Sequence, residues 1–117
     1  MMAGRQGFGA LVRREREAKE IGLREMAKKI GVSPTYLSKI ERGDFDPPAE
    51  DKVRKIAEII GRDPDELLAL AGRVASDLTD IIRQRPREIA DFLRAAKGLS
   101  AEDIARFTRQ AQRAKEK

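Results

Sequence analysis

The segment spanning residues 26–43, MAKKIGVSPTYLSKIERG, constrains the fold more than any other, because it stops a helical pattern and restarts it within three residues. Apolar residues recur at helical spacing up to Ile30, and Gly31 is the residue type that most readily takes a left-handed turn conformation. Ser33 is a favoured N-cap, and Pro34 suits the first helical position, where its missing N–H costs nothing. The pattern predicts two short helices joined by a tight turn.

A longer helix is predicted on the N-terminal side of this segment. Residues 1–7 are rich in glycine and are expected to be loose. Apolar residues then recur at helical spacing from about Phe8 to Glu20, and Gly22 is expected to end the helix.

Two more helices are predicted on the C-terminal side. The sequence GDFDPPAE favours a loop, because its prolines and acidic residues are turn formers. A fourth amphipathic helix then runs to Gly61, and Asp63 is placed to cap a short fifth helix that Gly72 closes. Five such helices predict a compact all-α domain over residues 1–72.

The remaining residues, 73–117, continue the helical pattern with thinner apolar stripes. Pro86, Gly98 and a capping sequence at Ser100–Asp103 divide this extension into about three helices. Stripes this thin do not make an independent core, so they need a partner surface, either the first domain or another chain. The residues expected to make dimer or partner contacts are Leu78, Ile81, Ile82, Ile89, Phe92, Leu93, Ile104 and Phe107.

Composition narrows the chemistry open to these 117 residues. The chain has neither His nor Cys, which removes zinc-type sites and His-based acid–base catalysis. We expect no metal, no cofactor and no enzymatic activity, since no pair of carboxylates or lysines sits in an apolar setting that would shift its pKa. The net charge of +5 favours a polyanionic partner such as nucleic acid. No apolar run approaches the roughly 20 residues that span a bilayer, so we expect no membrane contact and a cytoplasmic location.

Two short helices joined by a tight turn are the geometry of a helix-turn-helix, in which the first helix braces the second across the DNA backbone. The inner face of the segment would carry the apolar residues Ala27, Val32, Leu37 and Ile40, and the outer face would carry Pro34, Thr35, Ser38, Lys39 and Arg42. Polar side chains near the start of the second helix are then placed to reach base edges in the major groove. A plain helical hairpin that binds nothing is the alternative.

Residues from about Phe8 to Leu70 resemble the XRE family, the Cro/CI-type helix-turn-helix domain of phage repressors and bacterial regulators. The resemblance rests on Ala27 at the helix crossing, Gly31 in the turn, the sequence YLSKIERG as recognition helix and exit, and the closing sequence DPDELLALAG. It implies a five-helix lambda-repressor-like domain, with the extension of about three helices appended.

The resemblance also implies roles for individual residues. Base-edge contacts fall to Thr35, Ser38 and Lys39, with Pro34 and Tyr36 near the backbone or groove wall and Ser33 facing a phosphate. Asp44 and Asp46 follow the second helix and would repel phosphate, so either Arg42 and the helix termini supply the positive contacts or this loop points away from DNA. Arg16 and Glu41 correspond to a structural ion pair.

Together, these expectations predict that the protein is a transcriptional regulator that binds double-stranded DNA through the recognition helix at residues 34–42. It would act as a homodimer on a near-palindromic operator, as a repressor that occludes a promoter. The alternative is an antitoxin-like or partner-controlled protein whose C-terminal helices bind a toxin or an antagonist.

Overall fold

The computed structural model describes residues 4–116, which contain eight helices and no strands. The helices are α1 (Gly4–Ala18), α2 (Leu23–Ile30), α3 (Pro34–Glu41), α4 (Glu50–Ile60), α5 (Pro64–Leu70), α6 (Ser76–Gln84), α7 (Pro86–Ala96) and α8 (Ala101–Lys115). The all-α prediction, with five helices followed by three, is confirmed. The chain divides into two compact units, the first ending at Ser76 and the second beginning at Asp77.

The first unit is built around one apolar core. Helix α1 packs against α3, α4 and α5, and α2 packs against α3 and α4. Each helix contributes the residues that its 3.6-residue period places on one face. The largest fully buried side chains are Phe8, Val12, Met26, Ile30, Leu37, Ile40, Val53, Ile56, Leu67 and Leu68.

Helix α1 begins earlier than its apolar pattern predicts. It starts at Gly4, not near Phe8, and Gly7 and Gly9 are buried in its first turns. A side-chain carbon at Gly9 would lie 2.7 Å from the Glu41 carbonyl oxygen, so only glycine permits this approach of α1 to α3. Tertiary packing therefore overrides the poor helix propensity of glycine. The prediction that residues 1–7 are loose is therefore wrong for residues 4–7, which are helical. Residues 1–3 lie outside the described residues.

The end of α1 also differs from the prediction. The helix stops at Ala18, two residues before the predicted end at Glu20, and the residue with the left-handed conformation is Glu20 (φ 58°). The Ile21 N–H donates to the Arg16 carbonyl (3.1 Å), which closes the helix C-terminus. Gly22 instead precedes α2 in an extended conformation.

The predicted signals around α4 and α5 are confirmed. Gly61 is left-handed (φ 73°) at the end of α4, and the Asp63 carboxylate accepts hydrogen bonds from the N–H groups of Asp65 (2.8 Å) and Glu66 (3.1 Å) at the start of α5. These caps satisfy backbone groups that a helix end leaves without partners.

The first unit continues past Gly72. The Arg73 guanidinium donates to the carbonyl oxygens of Pro47 and Pro48, and the Ser76 N–H donates to the Glu50 carboxylate (3.1 Å). Ala75 joins the core. Residues 73–76 thus hold the loop before α4, and a fragment that keeps the first unit whole has to extend to Ser76.

The second unit contains the remainder of α6 together with α7 and α8. Ser100 caps α8 as predicted, since its hydroxyl accepts the Asp103 N–H (3.0 Å), and the Asp103 carboxylate pairs with Arg106 (3.2 Å). None of these three helices has a buried residue. In the described part of the chain, every helix is too short or too polar to cross a bilayer.

Candidate nucleic-acid interface

The turn between α2 and α3 is built from backbone hydrogen bonds and one capping side chain. Gly31 is left-handed (φ 79°), and the N–H groups of Gly31 and Val32 both donate to the Ala27 carbonyl (2.9 Å each). Ser33 is the N-cap of α3, and its hydroxyl accepts the Tyr36 N–H (3.0 Å). The turn therefore forms as its residue types predict.

Helix α3 is held against the domain through its inner face. Leu37 and Ile40 are fully buried, as is Ala27 on α2. Val32 is only half-buried and packs at the edge of the core. This anchoring leaves the opposite face of α3 available to solvent.

A buried ion pair ties the C-terminal end of α3 to α1. Arg16 Nε and Nη2 donate to the two Glu41 carboxylate oxygens at 2.9 and 3.0 Å, in the paired geometry that suits guanidinium and carboxylate. Both residues are less than 10% exposed, at 8% and 7%. The hydrogen bond from Arg16 to Glu41 raises the pKa of the guanidinium above its ordinary value, so the cation is maintained.

The outer face of α3 carries the side chains assigned to DNA. Ser33, Thr35 and Arg42 are exposed, whereas Pro34, Tyr36, Ser38 and Lys39 are half-buried. All of them lie on α3 or at its caps, so the fold brings these site residues together. Hydroxyl and ammonium groups on one exposed helix face can hydrogen-bond to base edges and phosphates.

Two clefts border this face, and each adds an arginine that the sequence analysis did not assign to the site. A cleft of about 580 Å³ between the start of α2 and α3 is lined by Arg24 together with Thr35, Ser38 and Arg42. A smaller cleft of about 290 Å³ places Arg13 near Ser38 and Arg42. No local pattern distinguishes Arg13 and Arg24 from the other charged residues on helix surfaces.

The loop that follows α3 folds back beside the outer face. Arg42 Nε pairs with the Asp44 carboxylate at 3.3 Å, so the carboxylate that follows α3 is matched by a neighbouring cation. The Phe45 ring lies beside the side chains of Lys39 and Tyr36. The sequence analysis assigned no role to Phe45, because a single aromatic residue in a loop has no periodic signature.

The residues predicted to contact a partner lie on the three helices of the C-terminal extension. Six of the eight are exposed and two, Ile82 and Ile89, are half-buried. Four of them, Phe92, Leu93, Ile104 and Phe107, line an apolar groove of about 570 Å³ formed by α7 and α8. Residues 4–116 contain no cluster of three or more acidic side chains arranged to hold a metal ion.

The chain is similar in sequence to a helix-turn-helix family and to proteins of bacteria and a phage. The family model described as "Helix-turn-helix" matches residues 12–67. An uncharacterized HTH-type transcriptional regulator of Mycobacterium tuberculosis is 28% identical over 108 residues, covering 92% of this chain and 76% of that protein. The ImmF control region 10 kDa protein of Bacillus phage phi105 is 40% identical over 63 residues, covering 54% of this chain and 68% of that protein.

Among solved structures, the clp gene regulator ClgR of Corynebacterium glutamicum is similar with a TM-score of 0.50 and 26% sequence identity. The match covers 80% of this chain and 93% of that chain.

Proposed function

This chain belongs to the XRE-type helix-turn-helix family of transcriptional regulators, and on that premise we propose that it is a repressor that binds a near-palindromic operator as a homodimer. Helix α3 would enter the major groove, with Thr35, Ser38 and Lys39 at base edges. Ser33, Pro34, Tyr36 and Arg42 would lie along the backbone or the groove wall.

The observation that carries the proposal is the division of α3 into two faces. Leu37 and Ile40 are fully buried, while Thr35 and Arg42 stay exposed and Lys39 stays partly so. A helix kept only for packing has no need of an outer face that groups hydroxyls and cations at these positions. Arg24 and Arg13 add positive charge at the adjacent clefts, which favours phosphate contacts beside α3.

The homodimer part of the proposal is supported by the apolar surface of the C-terminal extension. Phe92 is 59% exposed and Leu93 is 52% exposed beside the groove between α7 and α8. Exposed apolar surface of this kind marks a protein contact. Two copies joined here would present two α3 helices to half-sites about one duplex turn, roughly 34 Å, apart.

Selection of DNA fragments on the purified full-length chain tests the function. The source genome is fragmented, bound at about 150 mM salt, a concentration at which weak non-specific contacts are largely screened, and the retained DNA is sequenced. Enrichment of an inverted repeat supports a dimeric operator reader. Binding without a shared motif contradicts sequence-specific reading, and enrichment of a single half-site contradicts the dimer alone.

A second experiment addresses the partner. Sedimentation of the full chain is compared with that of a fragment ending at Ser76, because residues 73–76 belong to the first unit. We expect a dimer for the full chain and a monomer for the fragment at tens of micromolar. If the full chain and the fragment are both monomers, self-association is contradicted. The alternative, in which α6–α8 bind another protein such as a toxin or an antagonist, is then favoured.

A further inference from the structure

The loop after α3 carries an aromatic ring that packs against the outer face of the recognition helix. The Lys39 ammonium lies over the Phe45 ring, 5.1 Å from its centroid. The Phe45 ring also packs against the Tyr36 ring; the two ring centroids are 5.8 Å apart and the ring planes are inclined at 46°. Lys39, Phe45 and Tyr36 therefore form one cluster.

Core burial does not account for Phe45. Its side chain is 40% exposed and is not among the residues that form the apolar core of the first unit. Tyr36, in contrast, is half-buried and packs against that core. The contacts thus run from the core to Tyr36, from Tyr36 to Phe45, and from Phe45 to the Lys39 ammonium.

We propose that Phe45 is a positioning residue that holds the Lys39 ammonium at a fixed place on the DNA-reading face and so sharpens base discrimination. The proposal rests on the proposed function, in which Lys39 donates to a base edge. A lysine side chain has four flexible carbons, and much rotamer entropy is lost when it is held for a directed hydrogen bond. A ring face that attracts the cation removes part of that cost before DNA binds.

The geometry leaves Lys39 able to donate. An ammonium has three N–H donors and the ring takes only one side of it, so the others remain directed away from Phe45. Guanine offers O6 and N7 as acceptors in the major groove, which suits a lysine held in one position. In the proposed arrangement Phe45 acts through Lys39, whose ammonium it contacts.

The loop that carries Phe45 is anchored at both ends, as a positioning role requires. At its start, Gly43 is left-handed (φ 80°) and the N–H groups of Asp44 and Phe45 donate to the Lys39 carbonyl at 2.9 and 3.4 Å. At its end, the carbonyls of Pro47 and Pro48 accept from the Arg73 guanidinium. Phe45 is thereby held between two fixed points.

The test compares base preferences of four full-length variants on a randomised duplex library, with enrichment read by sequencing. The variants are Phe45→Leu, Phe45→Tyr, Lys39→Met and the double variant Phe45→Leu/Lys39→Met. Leucine keeps apolar bulk but removes the ring, and tyrosine keeps the ring. Because Phe45 is outside the core, thermal unfolding should be unchanged in the Phe45 variants, and this is measured alongside.

We expect Phe45→Leu to lower discrimination at one base pair of each half-site by about two- to fivefold, the size of an exposed cation–π contact, and Phe45→Tyr to retain it. Lys39→Met should relax the same base pair. In the Lys39→Met background, Phe45→Leu should then have no further effect, because the two residues act as one unit.

Three results would overturn the positioning role. The first is an unchanged base preference in Phe45→Leu, the second is binding by Phe45→Leu that is weakened equally on every sequence, and the third is a full effect of Phe45→Leu in the Lys39→Met background. If preference at every position survives Lys39→Met, base reading by Lys39 in the proposed function fails and the role of Phe45 fails with it. If Lys39→Met relaxes one position but Phe45→Leu does not, only the positioning role fails.

Discussion

Arg16 on α1 and Glu41 at the last residue of α3 form a buried, doubly hydrogen-bonded ion pair, with N–O distances of 2.9 and 3.0 Å. The same guanidinium donates to the Ile21 carbonyl at 2.8 Å. Arg16 therefore links three places in the first unit: the body of α1, the turn before α2 and the C-terminal end of α3. The orientation of α3 depends on this link as well as on Leu37 and Ile40.

Replacing Arg16 by alanine should destabilise the first unit by about 3–5 kcal/mol, because the Glu41 carboxylate would be left buried without a counter-charge. The free energy of unfolding from urea titration measures this. Arg13→Ala is the matched control on the same helix, since Arg13 pairs with Glu17 at 3.6 Å in an exposed position. That variant should lose less than about 1 kcal/mol. Equal losses in the two variants would contradict a special role for the buried pair.

Gly9→Ala should disrupt the packing of α1 on α3. The added carbon would meet backbone atoms, namely the carbonyl oxygens of Ile40 and Glu41, which cannot move aside without shifting α3. We expect a loss of about 1–3 kcal/mol, typical of overpacking, although alanine is the better helix former. Gly22→Ala is the control, because no atom lies within 4 Å of a carbon added there. A Gly9→Ala protein as stable as the parent would show that α1 does not approach α3 this closely.

Acid should weaken the contact between Glu15 on α1 and Arg62 after α4. The hydrogen bond from Arg62 lowers the pKa of the Glu15 carboxyl below its ordinary value of 4.5. A depressed folded-state pKa means that the stabilisation is present above about pH 4.5 and is lost as the pH falls through the folded-state value.

The difference in unfolding free energy between the parent and Glu15→Gln, measured from pH 7 to pH 3, isolates this contribution from other carboxylates. We expect a small stabilisation near neutral pH that disappears at the acid end, since the pair lies at the surface. A difference that stays constant over the whole range would contradict the assigned pKa shift.

Arg42 should contribute to DNA affinity without contributing to base preference. It is exposed at the end of α3 and pairs with Asp44, so its charge also offsets the acidic loop. If Arg42 neutralises one phosphate, Arg42→Gln should reduce the slope of log affinity against log salt by about 0.9 and weaken binding on all sequences alike. Lys55→Gln, on the exposed surface of α4, serves as the control of equal charge change. A change of base preference in Arg42→Gln would place Arg42 at a base edge.

Signals within a few residues of one another were sufficient to predict most helix ends. Gly31 and Gly61 close their helices, and Ser33 and Asp63 open the next ones, because each acts on backbone groups of its own turn. The same local logic fails at Glu20, which adopts a left-handed conformation although a glycine lies two residues away. There the Arg16 side chain, itself held by Glu41, binds the Ile21 carbonyl.

The sequence by itself determined the all-α fold, the helix-turn-helix at residues 26–43 and the separation of an apolar inner face from a polar outer face. These follow from periodicity and capping, which depend on near neighbours. Only the tertiary structure decided the close approach at Gly9, the anchoring of residues 43–49 by Arg73 and the placement of Phe45 against Lys39. Gly9 and Arg73 meet partners more than twenty residues away, and Phe45 reaches Lys39 through a loop that Arg73 helps to hold, so no local pattern reveals these contacts.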